Sequence, residues 1–132
     1  MKHLKILFLF VASTAFFTSC KKEKADINIT PSMVQGMYEG KYGTGNNAPS
    51  SFYSFNVKEN GVLEELNNSG MVVGTGTWTI SGETFKGKYL TVFPTASYSV
   101  KATFDLTTDK LTGTWGYGDS ETDGGKWFMN KE

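Results

Sequence analysis

The side chains that most often carry enzyme chemistry are scarce in this sequence. Its 132 residues include one histidine, His3, one cysteine, Cys20, and no arginine. Ser-His-Asp and Cys-His arrangements need a histidine beside the nucleophile, and His3 lies in an N-terminal segment with the features of a removable leader. Nucleophilic catalysis of these two kinds is therefore excluded.

The acidic residues do not form a catalytic pair either. Glu64 and Glu65 are adjacent, and adjacent residues of a strand point to opposite faces. We expect both carboxylates to lie near water on an exposed hairpin, and the alternative is that one of them faces inward. Glycoside hydrolysis needs two carboxyls at a set separation, and no other spacing indicates such a pair. The sequence therefore predicts a protein that is not an enzyme.

An acidic turn at Asp119–Gly124 resembles the start of a calcium-binding loop, in which oxygen ligands alternate along the chain. Glu121 occupies the third position, where aspartate or asparagine is usual, and the twelfth position is Asn130 instead of glutamate. We expect a solvated hairpin loop here, with no metal and no cofactor.

The N-terminus predicts export. Lys2 and Lys5 precede a 12-residue apolar run, Ile6–Phe17, which is too short to span about 30 Å of hydrocarbon as a helix. This pattern is typical of a signal peptide, here residues 1–19. The run ends in Phe17-Thr18-Ser19-Cys20, which resembles the lipobox of bacterial lipoproteins, and the lysine-rich stretch after it is similar to lipoproteins of the Bacteroides group.

That resemblance implies that Cys20 carries lipid and becomes the first residue of the mature chain. It implies attachment to the membrane through the lipid on Cys20, at the cell envelope, on the outer membrane and facing the periplasm or the surface. A lone cysteine in an exported chain cannot form an internal disulfide, so lipidation supplies its role. The alternative is a soluble secreted protein that is cut elsewhere.

We expect the mature chain to consist of a charged, flexible tether over residues 20–33 and a β-barrel domain over residues 34–132. Loss of Lys2 and Lys5 leaves 11 lysines against 13 acidic residues, a net charge of −2. Nucleic-acid binding needs clustered positive charge, so no nucleic-acid partner is expected.

From Gly36 onward apolar residues alternate with polar ones at a period of two, and turn-forming residues separate the segments. The pattern predicts eight strands, over residues 34–43, 51–58, 61–67, 71–80, 84–91, 97–105, 110–117 and 124–131. Short connections favour pairing between consecutive strands, and closure removes exposed sheet edges. We therefore predict an all-β fold, an antiparallel eight-stranded up-and-down meander barrel, with a β-sandwich as the second choice.

Two motifs resemble the calycin group, which contains lipocalins and avidins. Gly36-Met37-Tyr38 lies where lipocalins carry Gly-x-Trp, and Gly113-Thr114-Trp115 is similar to avidin-type strands. The tryptophan of the first motif is replaced by Tyr38, and the arginine that packs on it in lipocalins is absent. The resemblance therefore implies a lipocalin-like domain that departs from the true lipocalins.

Inward aromatic residues are the candidate ligand-binding residues, because rings supply large apolar areas and a few oriented polar groups. The set is Tyr38, Tyr53, Phe55, Trp78, Tyr89, Tyr98, Trp115 and Trp127. One hypothesis is a barrel that binds a small apolar or sugar-like ligand. The other is a filled barrel that acts as an inhibitor or accessory subunit and meets a protein partner through loops 44–51, 92–96 and 118–125.

Overall fold

A computed structural model of the protein describes residues 28–132, so the predicted leader, Cys20 and the tether up to residue 27 lie outside the described residues. The elements, in chain order, are α1 (Pro31–Val34), β1 (Gly36–Tyr42), β2 (Ser51–Val57), β3 (Val62–Leu66), β4 (Val72–Ser81), β5 (Thr84–Val92), β6 (Thr95–Asp105), β7 (Lys110–Tyr117) and β8 (Gly125–Lys131). A short 3₁₀ turn, Glu59–Gly61, connects β2 to β3.

Each strand pairs antiparallel with its neighbour along the chain, and β1 also pairs with β8, so the sheet closes into a barrel. At this closure Gly40 lies opposite Tyr53 of β2 on one side and Met129 of β8 on the other. The predicted eight-stranded up-and-down meander barrel is confirmed, and the β-sandwich alternative is wrong. Each strand begins and ends within two residues of its predicted bounds.

Glycines make room for the rings inside the barrel. Gly76 lies opposite Tyr89, and Gly87 lies opposite Trp78, on the paired strands β4 and β5. A Cβ atom added at Gly76 would lie 1.9 Å from the carbonyl oxygen of Lys88, so the two backbones approach too closely for any side chain there. An eight-stranded barrel is only just wide enough for its side chains, and the glycines open space for large inward residues.

The two ends of the barrel differ. The connections β1–β2, β3–β4, β5–β6 and β7–β8 lie at one end, called here the open end. The other, closed end carries the remaining connections and α1, whose Val34 is fully buried. The hydroxyl of Tyr38 donates a hydrogen bond to the carbonyl oxygen of Val34 and fixes the helix against β1. The interior at the closed end is therefore filled.

The helix α1 lies largely within residues 20–33, the segment that the sequence pattern assigns to a flexible tether. Pro31 occupies the first turn of the helix, where a missing backbone N–H leaves no hydrogen bond unmade. Ile29 is also buried in the core. The folded domain thus includes residues that the pattern assigned to the tether. No helix within residues 28–132 is long and apolar enough to cross a membrane.

Candidate functional site

A cavity of about 300 Å³ lies inside the barrel at its open end and is called here the mouth cavity. Five strands each contribute one aromatic side chain to its lining, and a glutamate, a threonine, a valine and the tip of the β5–β6 loop complete it. The lining residues are Tyr42, Tyr53, Tyr89, Tyr98, Trp115, Glu65, Thr91, Val73, Phe93 and Pro94. This volume is at the lower limit of ligand pockets in proteins, about 300–1,000 Å³.

The rings of the mouth cavity support one another through edge contacts. The ring centroid of Trp115 lies 5.8 Å from that of Tyr42 and 5.9 Å from that of Tyr98, in the range of favourable aromatic pairs. The Trp115 indole N–H donates a hydrogen bond of 2.8 Å to the carbonyl oxygen of Gly43. Trp115 is therefore held at the end of β7 with its ring toward the cavity.

Two tyrosine hydroxyls meet beneath the cavity. The hydroxyl oxygens of Tyr53 and Tyr89 are 2.7 Å apart and share one hydrogen bond. Burial is the main cause that raises the pKa of both phenols above the usual value. Both phenols are consequently neutral in the physiological pH range and offer hydrogen-bonding groups without charge.

Glu65 is the carboxylate of the mouth cavity. It stands on β3 opposite Phe55 of β2 and Gly74 of β4, next to a register shift between Glu65 and Leu66. Its Oε2 atom is buried and has no hydrogen-bond partner. Burial raises the pKa of Glu65 from 4.5 to about 7, partly opposed by a hydrogen bond to the Tyr89 hydroxyl.

The expectation that both adjacent carboxylates lie near water is wrong for Glu65. Glu64 does point outward, where it lies 3.4 Å from the ammonium of Lys58 and accepts a hydrogen bond from Asn56. Glu65 points inward because it shares the parity of buried Leu63. That shared parity is the sequence signal that identifies Glu65 as an interior residue.

The predicted ligand-binding residues separate into two groups by depth. Four line the mouth cavity, namely Tyr53, Tyr89, Tyr98 and Trp115. The other four fill the core and do not line it, namely Tyr38, Phe55, Trp78 and Trp127. The indole N–H of Trp78 donates a hydrogen bond to the carbonyl oxygen of Lys58. Lys58 directly follows β2 at the closed end of the barrel. Cys20, the predicted site of lipidation, lies outside the described residues.

Sequence reasoning missed several lining residues, including Tyr42, Val73 and Thr91. Tyr42 shares the parity of Tyr38, which is a usable signal for its inward direction. Val73 lies at the irregularity where β4 slips against β3, and alternation gives no signal at such a place.

The acidic turn 119–124 lies on the outer surface and not at the mouth cavity. Asp119 pairs with Lys88 and Glu121 with Lys86, the latter at 3.0 Å. Asp123 accepts a hydrogen bond from the backbone N–H of Tyr117. The carboxylates of this turn thus bind groups of the protein itself. Among residues 28–132 there is no group of three or more His, Cys, Asp or Glu residues arranged to hold a metal ion.

No protein-family model, no curated protein and no solved structure matches this chain. Because one barrel architecture serves many unrelated functions, the function has to be argued from the mouth cavity itself.

Proposed function

We propose that this protein is an exported, lipid-anchored binding protein of the cell envelope, whose barrel takes one small molecule into the mouth cavity. The observation that carries the proposal is the cavity of about 300 Å³ inside a barrel that is otherwise filled by its own side chains. A barrel of this size can be filled completely by its own side chains, but here the open end is not filled. The open volume is therefore best explained by an occupant. The proposal is of a binding protein and not of an enzyme.

The lining supports a ligand with a flat or apolar body and a polar group. Rings cover most of the wall, while the Tyr53–Tyr89 hydroxyl pair and the Glu65 carboxylate supply polar contacts. At about 30 Å³ for each water of the liquid, the cavity corresponds to about ten waters. A ligand with about ten non-hydrogen atoms fits this volume.

Anchoring through Cys20 is the second part of the proposal, and its support is the lipobox resemblance together with the lone cysteine. The chain enters the barrel at the closed end, where Ile29 is buried. The proposed anchor is thus connected to the domain at the end opposite the mouth cavity.

A chain of residues 21–132 contains all eight strands, α1 and the hydrophobic core from Ile29 to Met129. We therefore expect residues 21–132 to fold without the lipid, and this shorter chain is used for the measurements in solution.

Lipidation is tested on the full chain by growth with an alkyne-labelled fatty acid. The wild type should carry the label and Cys20→Ala should not. Equal labelling of the two proteins would refute the anchor.

The binding proposal is tested by native mass spectrometry of the protein purified from its source cells without denaturation. Val73 lines the cavity and its neighbour Val72 is half exposed, so Val73→Trp fills the cavity while Val72→Trp is the matched control. A bound species should accompany the wild type and Val72→Trp and be lost from Val73→Trp. A species that survives in Val73→Trp, or a wild type without any, would contradict the proposal.

The alternative function, a protein-interaction module, is favoured by one observation at the rim of the open end. Phe93 is 95% exposed at the tip of the β5–β6 loop, beside exposed Val92 and Leu90. Exposed apolar residues in one place mark interaction sites. Of the loops 44–51, 92–96 and 118–125 proposed for a protein partner, the second carries this apolar tip. A partner that is captured by the wild type and lost with Phe93→Ser would support this function.

A further inference from the structure

We propose that the mouth cavity binds an organic cation, an amine or quaternary ammonium of about ten non-hydrogen atoms, with its positive charge against Glu65. This inference rests on the proposed function, since it names the ligand class of the same cavity. Three independent features carry it: an unpartnered carboxylate oxygen, the absence of a protein cation beside it, and the aromatic wall.

The first feature is the unpartnered oxygen. Glu65 Oε2 is buried without a hydrogen-bond partner, whereas the outward carboxylate of Glu64 has both an ion pair and a hydrogen bond. Buried polar groups in native proteins nearly always have a partner, and each exception calls for an explanation. A bound cation is such an explanation, because its charge compensates this oxygen and, where the cation is a protonated amine, its N–H also donates to it.

The second feature is the lack of a protein cation at this carboxylate. The sequence has no arginine, and the three salt bridges among the described residues join Lys58, Lys86 and Lys88 to carboxylates other than Glu65. No lysine lines the mouth cavity. Within residues 28–132, the negative charge of Glu65 is therefore not balanced by the protein.

The third feature is the aromatic wall around this charge. Four tyrosines and Trp115 line the same cavity. The faces of such rings attract cations, tryptophan most strongly, and aromatic cages are a recurring means of binding quaternary ammonium groups. A neutral ligand satisfies the rings but leaves the carboxylate charge uncompensated, while a cation satisfies both.

Glu65 is the group in the cavity that titrates near neutral pH. The titratable groups that face it are Tyr53 from β2, Tyr89 from β5 and Tyr98 from β6, and burial raises the pKa of each phenol. Tyr42 from β1 is a further phenol of the lining. With the pKa of Glu65 at about 7, the charge of this carboxyl changes between pH 6 and pH 8.

The test compares two probes of the same shape and about ten non-hydrogen atoms, phenyltrimethylammonium and the neutral tert-butylbenzene. Each is titrated into residues 21–132 at pH 8, with Trp fluorescence as the readout. We expect the cation to bind at least tenfold more tightly. Since the charge of phenyltrimethylammonium does not change with pH, its affinity should fall about tenfold from pH 8 to pH 6 as Glu65 becomes protonated.

Two matched variants assign the effect to the inward carboxylate. Glu65→Gln should lose at least tenfold in affinity for phenyltrimethylammonium at pH 8, and its remaining affinity should not vary between pH 6 and pH 8. Glu64→Gln should bind as the wild type does and keep the pH dependence. Circular dichroism at pH 6 and pH 8 shows whether each variant is folded, so a loss of affinity in a folded Glu65→Gln variant is a loss of binding and not of structure.

Equal or tighter binding of tert-butylbenzene, or a Glu65→Gln variant that binds the cation as the wild type does, overturns the cation inference and leaves the cavity as a site for neutral ligands. Failure of phenyltrimethylammonium to bind at millimolar concentration also overturns it. The native mass spectrometry of Val73→Trp decides the proposed function separately, because it does not depend on either probe.

Discussion

Replacing Glu65 with glutamine should make the folded protein more stable above pH 7. The carboxyl has a pKa of about 7 in the folded chain against an ordinary 4.5, because burial disfavours its charged form. The folded state thus holds the proton more tightly than the unfolded state does. Stability is full below about pH 4.5, falls as the pH rises toward 7, and stays low at higher pH.

The size of the effect follows from the same pKa. A rise from 4.5 to about 7 corresponds to about 3 kcal/mol of destabilisation by the charged form. Glu65 keeps some contact with solvent, and its burial is incomplete, which reduces the effect to about 2 kcal/mol. Glutamine has the same shape without the charge. For a domain of this size, about 2 kcal/mol raises the melting temperature by about 8–16 °C.

The assay is urea denaturation of residues 21–132 at pH 8.5 and at pH 4. The gain of Glu65→Gln over the wild type should be about 2 kcal/mol at pH 8.5 and close to zero at pH 4, where the carboxyl is protonated in both states. Glu64→Gln is the control, and its loss of a surface ion pair should change stability by less than about 1 kcal/mol. A gain of equal size at both pH values would refute the reasoning, as would no gain at pH 8.5.

Three further variants, and a control for the third, test the core, the cavity wall and the close approach of two strands. Trp78→Ala should lose about 3–5 kcal/mol of unfolding free energy, because its side chain is only 4% exposed in the core; an unchanged urea midpoint would place it outside the core. Trp115→Phe should remain folded by circular dichroism and bind phenyltrimethylammonium several-fold more weakly, since its ring lines the mouth cavity; unchanged affinity would remove it from the site. Gly76→Ala should lose more than about 2 kcal/mol of unfolding free energy in urea, because its added Cβ would lie 1.9 Å from the backbone of β5. The control Gly45→Ala has open space around it and should lose about 1 kcal/mol, through its positive φ alone; an equal loss in both variants would contradict the close approach at Gly76.

The barrel could be predicted from the sequence because alternation and turn residues agree along the whole domain. In β5, for example, Phe85, Gly87 and Tyr89 are all buried, and the residues between them are exposed. A one-residue slip would reverse every side chain, so the pattern fixes both the strand and its inward face. β6 begins two residues earlier than predicted, because the β5–β6 turn is shorter than its Phe-Pro sequence indicates.

The helix at the closed end could not be predicted from the same pattern. A helix of four residues has no periodicity to detect. Proline is found both where a helix ends and at its first residue, so Pro31 alone does not predict a helix. What holds α1 in place is tertiary contact, the burial of Val34 and the hydrogen bond from Tyr38. Local sequence does not contain that information.

The candidate site was half predictable for a related reason. Alternation tells which residues point inward, but it does not tell how far along the barrel each one lies. Tyr53 and Phe55 share one face of β2 and their ring centroids are 4.8 Å apart, yet Tyr53 lines the mouth cavity and Phe55 is core. Whether an inward residue lines a cavity or lies in the core depends on which end of the barrel is covered. Here α1 covers the end opposite the mouth cavity.

Glu65 connects the stability of the barrel with its proposed function. A charged group inside a barrel lowers stability, and natural proteins tolerate such losses mainly at functional sites. Leu63, the preceding inward residue on the same strand, lies in an apolar, fully packed interior. The fold itself therefore does not require a carboxylate at position 65. If the cation inference holds, one substitution, Glu65→Gln, must raise the unfolding free energy and lower the affinity for an organic cation, both with the same titration near pH 7. A variant that gained stability but bound the cation unchanged would place the charge of Glu65 outside the function.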